Sequence, residues 1–229
     1  MWYRVGLNKR VAGFLACFLL YTIVVAQQPI PGYAGNISDS QGGALLQGAN
    51  SVFISGNYAY ITSYYSDALE IVDISDPTKP VHTGSITHGD GGALLDFPKS
   101  VYVSGNYAYV VSQNSDALEI IDISNPSTPF HKGSISKSKG PLLDAPQSVF
   151  VSDEYAYVVS GISNSLEIYD VSTPSYPVLS GSISHGEGGA LLAGPVSVFV
   201  EGNYAYVASL TSDALEIVDI SNPKTPIHA

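Results

Sequence analysis

The sequence predicts an all-β fold, a β-propeller of four blades with four antiparallel strands in each. Three observations carry this. A segment beginning Ser51-Val52-Phe53-Ile54-Ser55-Gly56-Asn57-Tyr58-Ala59-Tyr60 returns at Ser100, Ser148 and Ser197, at spacings of 49, 48 and 49 residues. A second block, Ala68 to Ser75, returns in step at Ala117, Ser165 and Ala214. Beyond residue 26 no stretch shows the 3.6-residue apolar period of an amphipathic helix. Repeats of this length are units that bury their faces only by stacking on one another.

Each period divides into four short strands bounded by turn residues. Strand a is Val52 to Ser55, and Gly56-Asn57 makes a two-residue hairpin turn where positive φ costs little. Strand b, Tyr58 to Ser63, is rich in aromatic and β-branched residues. Strand c, Ala68 to Ser75, is apolar on both faces, with Leu69 and Ile71 on one and Val72 and Ile74 on the other. A strand packed on both sides has this pattern. Strand d runs from about His82 to Thr87, after a turn that Pro77 and Pro80 keep out of the ladder. The loop after it, His88-Gly89-Asp90-Gly91-Gly92-Ala93-Leu94-Leu95, leads into the next strand a.

The repeat is out of phase with the ends of the sequence. Gly35 to Ser38 and Gly42 to Leu46 align with the strand d and loop block that begins at Gly84, whereas Ile227 and His228 open the fourth strand d. The segment 33–48 is therefore expected to complete the last blade, closing a monomeric ring of four blades, with a fragment or half of a larger toroid as the alternative. Ahead of the repeats, Arg4, Lys9 and Arg10 precede an uncharged apolar run from Val11 to Ala26. That is the order of a secretory signal, cleaved near Gln27. Its sixteen residues fall short of the roughly 20 that span a bilayer as a helix. The expectation is an extracytoplasmic chain, secreted or at the cell surface, whose domain is 27–229 and which has no membrane span once processed. An uncleaved N-terminal anchor is the alternative.

The strand c blocks Leu69-Glu70-Ile71-Val72-Asp73-Ile74-Ser75-Asp76-Pro77 and Leu215-Glu216-Ile217-Val218-Asp219-Ile220-Ser221-Asn222-Pro223 resemble the LVIVD repeat of bacterial and archaeal surface proteins. The third copy departs from it, with Tyr169 in place of Val and Val171-Ser172-Thr173-Pro174 at its end. The resemblance covers about residues 33–229. It implies a propeller on or outside the cell, and it implies no reaction.

Charge and composition narrow the function. From Gln27 onward there are six lysines, no arginine and twenty acids, a net charge of −14. A phosphate backbone is held by clustered cations, so nucleic acid is excluded as a partner. Cys17 is the only cysteine and lies in the signal. No Ser-His-Asp signature, His-Glu-x-x-His motif or phosphate loop is present, so no catalytic residue is assigned and no cofactor is expected. Asp67, Asp116 and Asp213 in the b–c loops are compatible with weak Ca²⁺ binding, without a recognisable ligand spacing.

Residues present in every repeat read first as scaffold. Glu70, Glu119, Glu167 and Glu216 form one such set, and Asp73, Asp122, Asp170 and Asp219 form another whose side chains can bond turn amides. The Tyr-Ala-Tyr pairs of strand b read as packing between blades, with sugar stacking as the alternative. Binding is instead expected on the face shared by the b–c and d–a loops, where the repeats differ. The candidates are Tyr64 and Tyr65, His88 and Asp90, Lys137 and Lys139, and His185 and Glu187. The reading is a non-catalytic scaffold that takes a protein or glycan partner there. A structural matrix component, or a carbohydrate-active enzyme with an axial site, are the rivals.

Overall fold

The computed structural model describes residues 34–139 and 142–229, so the segment read as a secretory signal lies outside the described residues. Among the described residues sixteen strands form four antiparallel sheets, each paired in chain order. Sheet I holds β1 (Ala49–Ser55), β2 (Tyr58–Ser63), β3 (Ala68–Asp73) and β4 (Val81–Thr87). Sheet II holds β5 (Pro98–Ser104), β6 (Tyr107–Ser112), β7 (Ala117–Asp122) and β8 (Phe130–Ser136). Sheet III holds β9 (Pro146–Ser152), β10 (Tyr155–Ser160), β11 (Ser165–Asp170) and β12 (Val178–Ser184). Sheet IV holds β13 (Pro195–Glu201), β14 (Tyr204–Ser209), β15 (Ala214–Asp219) and β16 (Ile227–His228). Strands b, c and d fall within two residues of the sequence reading at each end. Strand a starts three residues earlier, carried through a bulge between Ala49 and Ser51.

Each seam between sheets is a separate apolar core built from the same positions. Between sheets I and II, Tyr60, Leu69, Ile71 and Ile86 meet Val101, Val103, Ala108, Val110, Ile121 and Ile123. The two later seams repeat this set. Both faces of an internal strand c are therefore buried, as its two-sided apolar pattern predicts. The tyrosine pairs divide: Tyr60, Tyr109 and Tyr157 are buried in seams, and their neighbours Tyr58, Tyr107 and Tyr155 pack at the edge of the same cores. Packing is their role. On the first strand of each sheet one aromatic packs tilted or edge-on against the next, Phe53 against Tyr102, Tyr102 against Phe150 and Phe150 against Phe199. The ring centroids are 4.7, 4.7 and 4.9 Å apart.

The expected closure of the four-bladed ring by an N-terminal strand is not confirmed among the described residues, which form a row of four sheets. Residues 35–38 join no ladder, and β16 occupies the place beside β15, pairing His228 with Val218 and Ile227 with Asp219. The two outer faces stay uncovered: Val52 and Ile54 on sheet I are 60% and 54% exposed, and Leu215 on sheet IV is 67% exposed. Their counterparts inside the row, Val101, Val103 and Leu69, are buried. The pattern within a repeat specifies how one sheet packs on the next.

The hairpin turns between strands a and b carry one testable irregularity. Gly56, Gly105 and Gly202 open their turns at φ 56°, 57° and 57°, and Asp153 is forced to 51° at the same place. A non-glycine residue is disfavoured there. Asp153→Gly should raise stability by roughly 0.5 kcal/mol, read as a higher urea midpoint with an unchanged slope.

Candidate binding face

The carboxylates that recur on strand c of every sheet are clamps at the seams. Glu70, Glu119, Glu167 and Glu216 are buried on strand c. In sheet I, one oxygen of Glu70 is 2.5 Å from Nδ1 of His82 on β4, and the other accepts the amide of Leu45, in the loop entering β1, at 3.1 Å. Glu119 does the same with His131 and the Leu94 amide, and Glu216 with His228 and the Leu191 amide. Sheet III has Leu179 where the histidine should stand. There Glu167 accepts hydrogen bonds from the hydroxyls of Ser160 and Ser165, and Ser165 replaces the alanine of the other repeats. Burial pushes the Glu119 and Glu167 carboxyls up to about 7, against the pull of these hydrogen bonds. The histidines twelve residues after Glu70, Glu119 and Glu216 escaped the sequence reading. Their signal was present as a paired change, His to Leu179 together with Ala to Ser165.

The second acidic set caps turns as expected. The carboxylates of Asp73, Asp122, Asp170 and Asp219 accept the amides of Ser75, Ser124, Ser172 and Ser221 at 2.8 to 3.0 Å. The hydroxyl and then the amide of the serine two residues on hold Asp170 and Asp219 below the ordinary carboxyl range, and the amide and then the hydroxyl of Ser75 do the same for Asp73.

On the loop face, the polar candidates are largely occupied with the loops themselves. Nδ1 of His88 accepts the Leu95 amide and that of His185 accepts the Leu192 amide, both at 3.1 Å. Asp90 accepts the amide and hydroxyl of Thr87 at 2.9 and 2.7 Å, and Glu187 accepts the Ser184 amide at 2.8 Å. The ammonium of Lys137 lies 2.5 Å from Asp144. Lys139 follows in the same 3-10 turn, Lys137–Lys139. Asp67 and Asp116 turn inward onto the amides of Phe97 and Ala145, at 2.9 Å each. Among the described residues no group of three or more His, Cys, Asp or Glu is gathered to hold a metal ion.

Tyr64 and Tyr65 are placed differently. Their rings are 4.0 Å apart, and Phe97, arriving from the neighbouring sheet, lies 4.4 Å from Tyr64 and 6.2 Å from Tyr65. The Lys99 ammonium stands 5.9 Å from the Tyr64 ring and 5.8 Å from the Phe97 ring, within cation–π range. Tyr65 is 62% exposed. The other repeats carry Gln113-Asn114, Gly161-Ile162 and Leu210-Thr211 where this one has the tyrosines. Phe97 holds a φ of 59° at a position where Gly48 and Gly194 adopt 73° and 60°. A bulky residue in the left-handed region costs about 1 kcal/mol or more and persists where its surroundings impose it. The sequence reading found the two tyrosines and missed Phe97 and Lys99, which reach them only across a seam.

These sheets define the chain as a repeat protein of the β-propeller class. Residues 48–88, 98–136, 145–184 and 195–229 each match the LVIVD repeat, and the chain belongs to the LVIVD repeat family. No curated protein matches it in sequence. Among solved structures it is similar to Kuenenia stuttgartiensis hydrazine synthase, with 19% identity, a TM-score of 0.61, and coverage of 86% of this chain and 53% of that one. It is also similar to a Pseudomonas aeruginosa periplasmic gluconolactonase, with 14% identity, a TM-score of 0.61, and coverage of 79% and 54%. The computationally designed Ika4 protein matches at 8% identity with a TM-score of 0.57, over 82% of this chain and 98% of that one. At these identities the likeness is one of fold. The chain spans about half the length of the first two.

Proposed function

We propose that the protein is a non-catalytic, extracytoplasmic binding scaffold that holds its partner on the loop face, and that a glycan is the partner the site suits best. The observation that carries this is the cluster of exposed Tyr65 with half-buried Tyr64 and Phe97, and Lys99 beside it. Aromatic faces stack on the apolar faces of sugar rings, and a neighbouring ammonium can hydrogen-bond their hydroxyls or pair with an acidic sugar. The cluster breaks the repeat, and it keeps a phenylalanine in a backbone conformation that glycine would adopt freely. The signal-like N-terminal run supports export. A protein partner would use the same surface, and lactone hydrolysis, suggested by one structural neighbour, has no residue here assigned to it.

The test separates binding from folding. Phe97→Gly removes the ring while easing the backbone, so stability should stay within about 1 kcal/mol. Tyr65→Ala removes an exposed ring. Together they should weaken retention on the envelope polysaccharide of the producing cell at least tenfold, with the melting temperature nearly unchanged. Unaltered retention would overturn the site, and turnover of a sugar lactone by the purified chain would overturn the non-catalytic reading.

A further inference from the structure

A groove of about 610 Å³ runs between β8 of sheet II and the segment Ser175 to Leu179, which turns into β12 of sheet III. A cleft of this volume is large enough for a small ligand. The b–c and d–a loops leave the sheets at one end, and the a–b and c–d turns leave them at the other. Its c–d turn therefore places the groove toward the end opposite Tyr64 and Phe97.

Three residues on its walls depart from the repeat, and they meet at this one seam. Lys132 stands where β4 has Thr83 and β12 has Ser180, Tyr176 takes a place that the other turns give to lysine or threonine, and Leu179 takes the place of the clamp histidine. The exchange at Leu179 leaves no buried charge stranded, because Ser160 and Ser165 hold Glu167 from within. It turns a polar clamp into an apolar floor, packed from beneath against the core of the seam. Lys132 is the extra residue of a bulge in β8, between His131 opposite Ile121 and Gly133 opposite Ile120. Bulges re-aim a side chain. Its ammonium stands 5.9 Å from the Tyr107 ring and 6.0 Å from the Phe130 ring, and 3.8 Å from the Asp122 carboxylate. A charge-assisted hydrogen bond is shorter, at roughly 2.7–2.9 Å. Asp122 uses its other oxygen on the amide and hydroxyl of Ser124, so the ammonium keeps donors for a second anion. A lysine on an edge strand can serve only to discourage pairing, yet the equally open edges of β4 and β12 carry Thr83 and Ser180 there.

We propose that this groove is a second binding site, and that it takes a uronate residue of an acidic polysaccharide. The Tyr176 ring, 78% exposed, and the Leu179 floor cover the apolar face of the sugar. The hydroxyls of Ser134 and Ser175 meet those of the sugar, and Lys132 pairs with its carboxylate. With twenty acids against six lysines from Gln27 onward, the chain repels anions except where a lysine is set apart for one. The groove shares no residue with the loop face, so each can bind alone.

The full chain carrying Tyr65→Ala and Phe97→Gly, with its loop face disabled, should still bind tetragalacturonic acid in calcium-free titration calorimetry. In that background Lys132→Gln and Tyr176→Ala should each weaken binding about tenfold or more, with the melting temperature unchanged. Glutamine removes the charge without setting a second acid beside Asp122. The methyl ester of the same sugar, with the same rings and no charge, should bind about tenfold more weakly and be indifferent to Lys132→Gln. Binding by the unaltered chain that vanishes in the loop-face background would overturn the proposal and leave the sugar on the loop face. Absence of binding by both chains would overturn it, as would equal binding of the methyl ester or indifference to both groove substitutions. Tetraglutamate taken up in place of tetragalacturonate would overturn it in favour of an acidic peptide.

Discussion

Gly133→Ala is expected to cost about 3 kcal/mol, and to broaden the unfolding transition between sheets II and III. Its φ is ordinary, so the cost comes from space alone. A methyl group built there would come within 2.8 Å of the backbone of Ser175, in the turn between β11 and β12, and closer still to the Pro174 carbonyl. Both obstacles are main chain, held by the Tyr176 amide bonding the Thr173 carbonyl at 2.8 Å, so neither can swing aside. Relief requires strand β8 to lift from the next sheet and open the seam containing Leu118, Ile120, Val149 and Val151. In a protein of this size the loss should appear as a melting temperature lower by roughly 6–12 °C. Gly56→Ala is the control. It has open space around it and suffers only from its positive φ, so it should cost about 1 kcal/mol. Equal effects from the two changes would refute the steric account.

The protein should grow less stable as pH rises from about 5 to 8, and Glu167→Gln should remove much of that slope. Burial raises the Glu167 carboxyl from the ordinary 4.5 to about 7. A carboxyl raised in the folded state contributes stability fully present below 4.5 and lost as pH climbs through 7, because the unfolded chain gives up its proton more readily. Glu119, also raised to about 7, acts in the same direction. The aspartates of the turns act oppositely but at lower pH, since their carboxyls are held down and their contribution is lost only on acidification. Maximal stability should therefore lie on the mildly acidic side. Glutamine keeps the shape of Glu167 without its charge, and the Ser160 and Ser165 hydroxyls can accept from its amide as readily as they donate to the carboxylate. At pH 8 the substitution should add about 2 kcal/mol, or roughly 4–8 °C in thermal melts, with little gain at pH 5. A parallel shift of the whole profile would show that the gain is packing and not charge.

The strands were legible because each repeat states its own pattern four times. Leu69 and Ile71 alternate with Val72 and Ile74, glycines punctuate the hairpins, and prolines mark the outer turns. Closure was not legible, because Val52 and Leu215 carry the same apolar code as their buried counterparts whether a fourth seam exists or not. Curvature depends on the rotation from one sheet to the next, which backbone packing at contacts such as Gly133 on Pro174 sets and which no period in the sequence reports. The loop face was half legible. Tyr64 and Tyr65 stood out as departures from the repeat, while Phe97 and Lys99 belong to the next period and reach them only across a seam. The histidines and acids of the d–a loops attracted notice as chemistry and turned out to bond neighbouring amides, as short polar side chains in tight loops commonly do.

The aromatic cluster straddles a boundary. Tyr64 and Tyr65 leave β2 of sheet I, whereas Phe97 and Lys99 enter sheet II, and the Asp67 carboxylate crosses from the first to hold the Phe97 amide. Anything gripping both sides would favour the arrangement in which the two sheets are together, by the same mass action that lets any ligand stabilise the state it recognises. Occupancy would then act as a rivet across the first joint of the row, so that a tether pulled through a bound partner loads the joint in the direction it is best braced to resist.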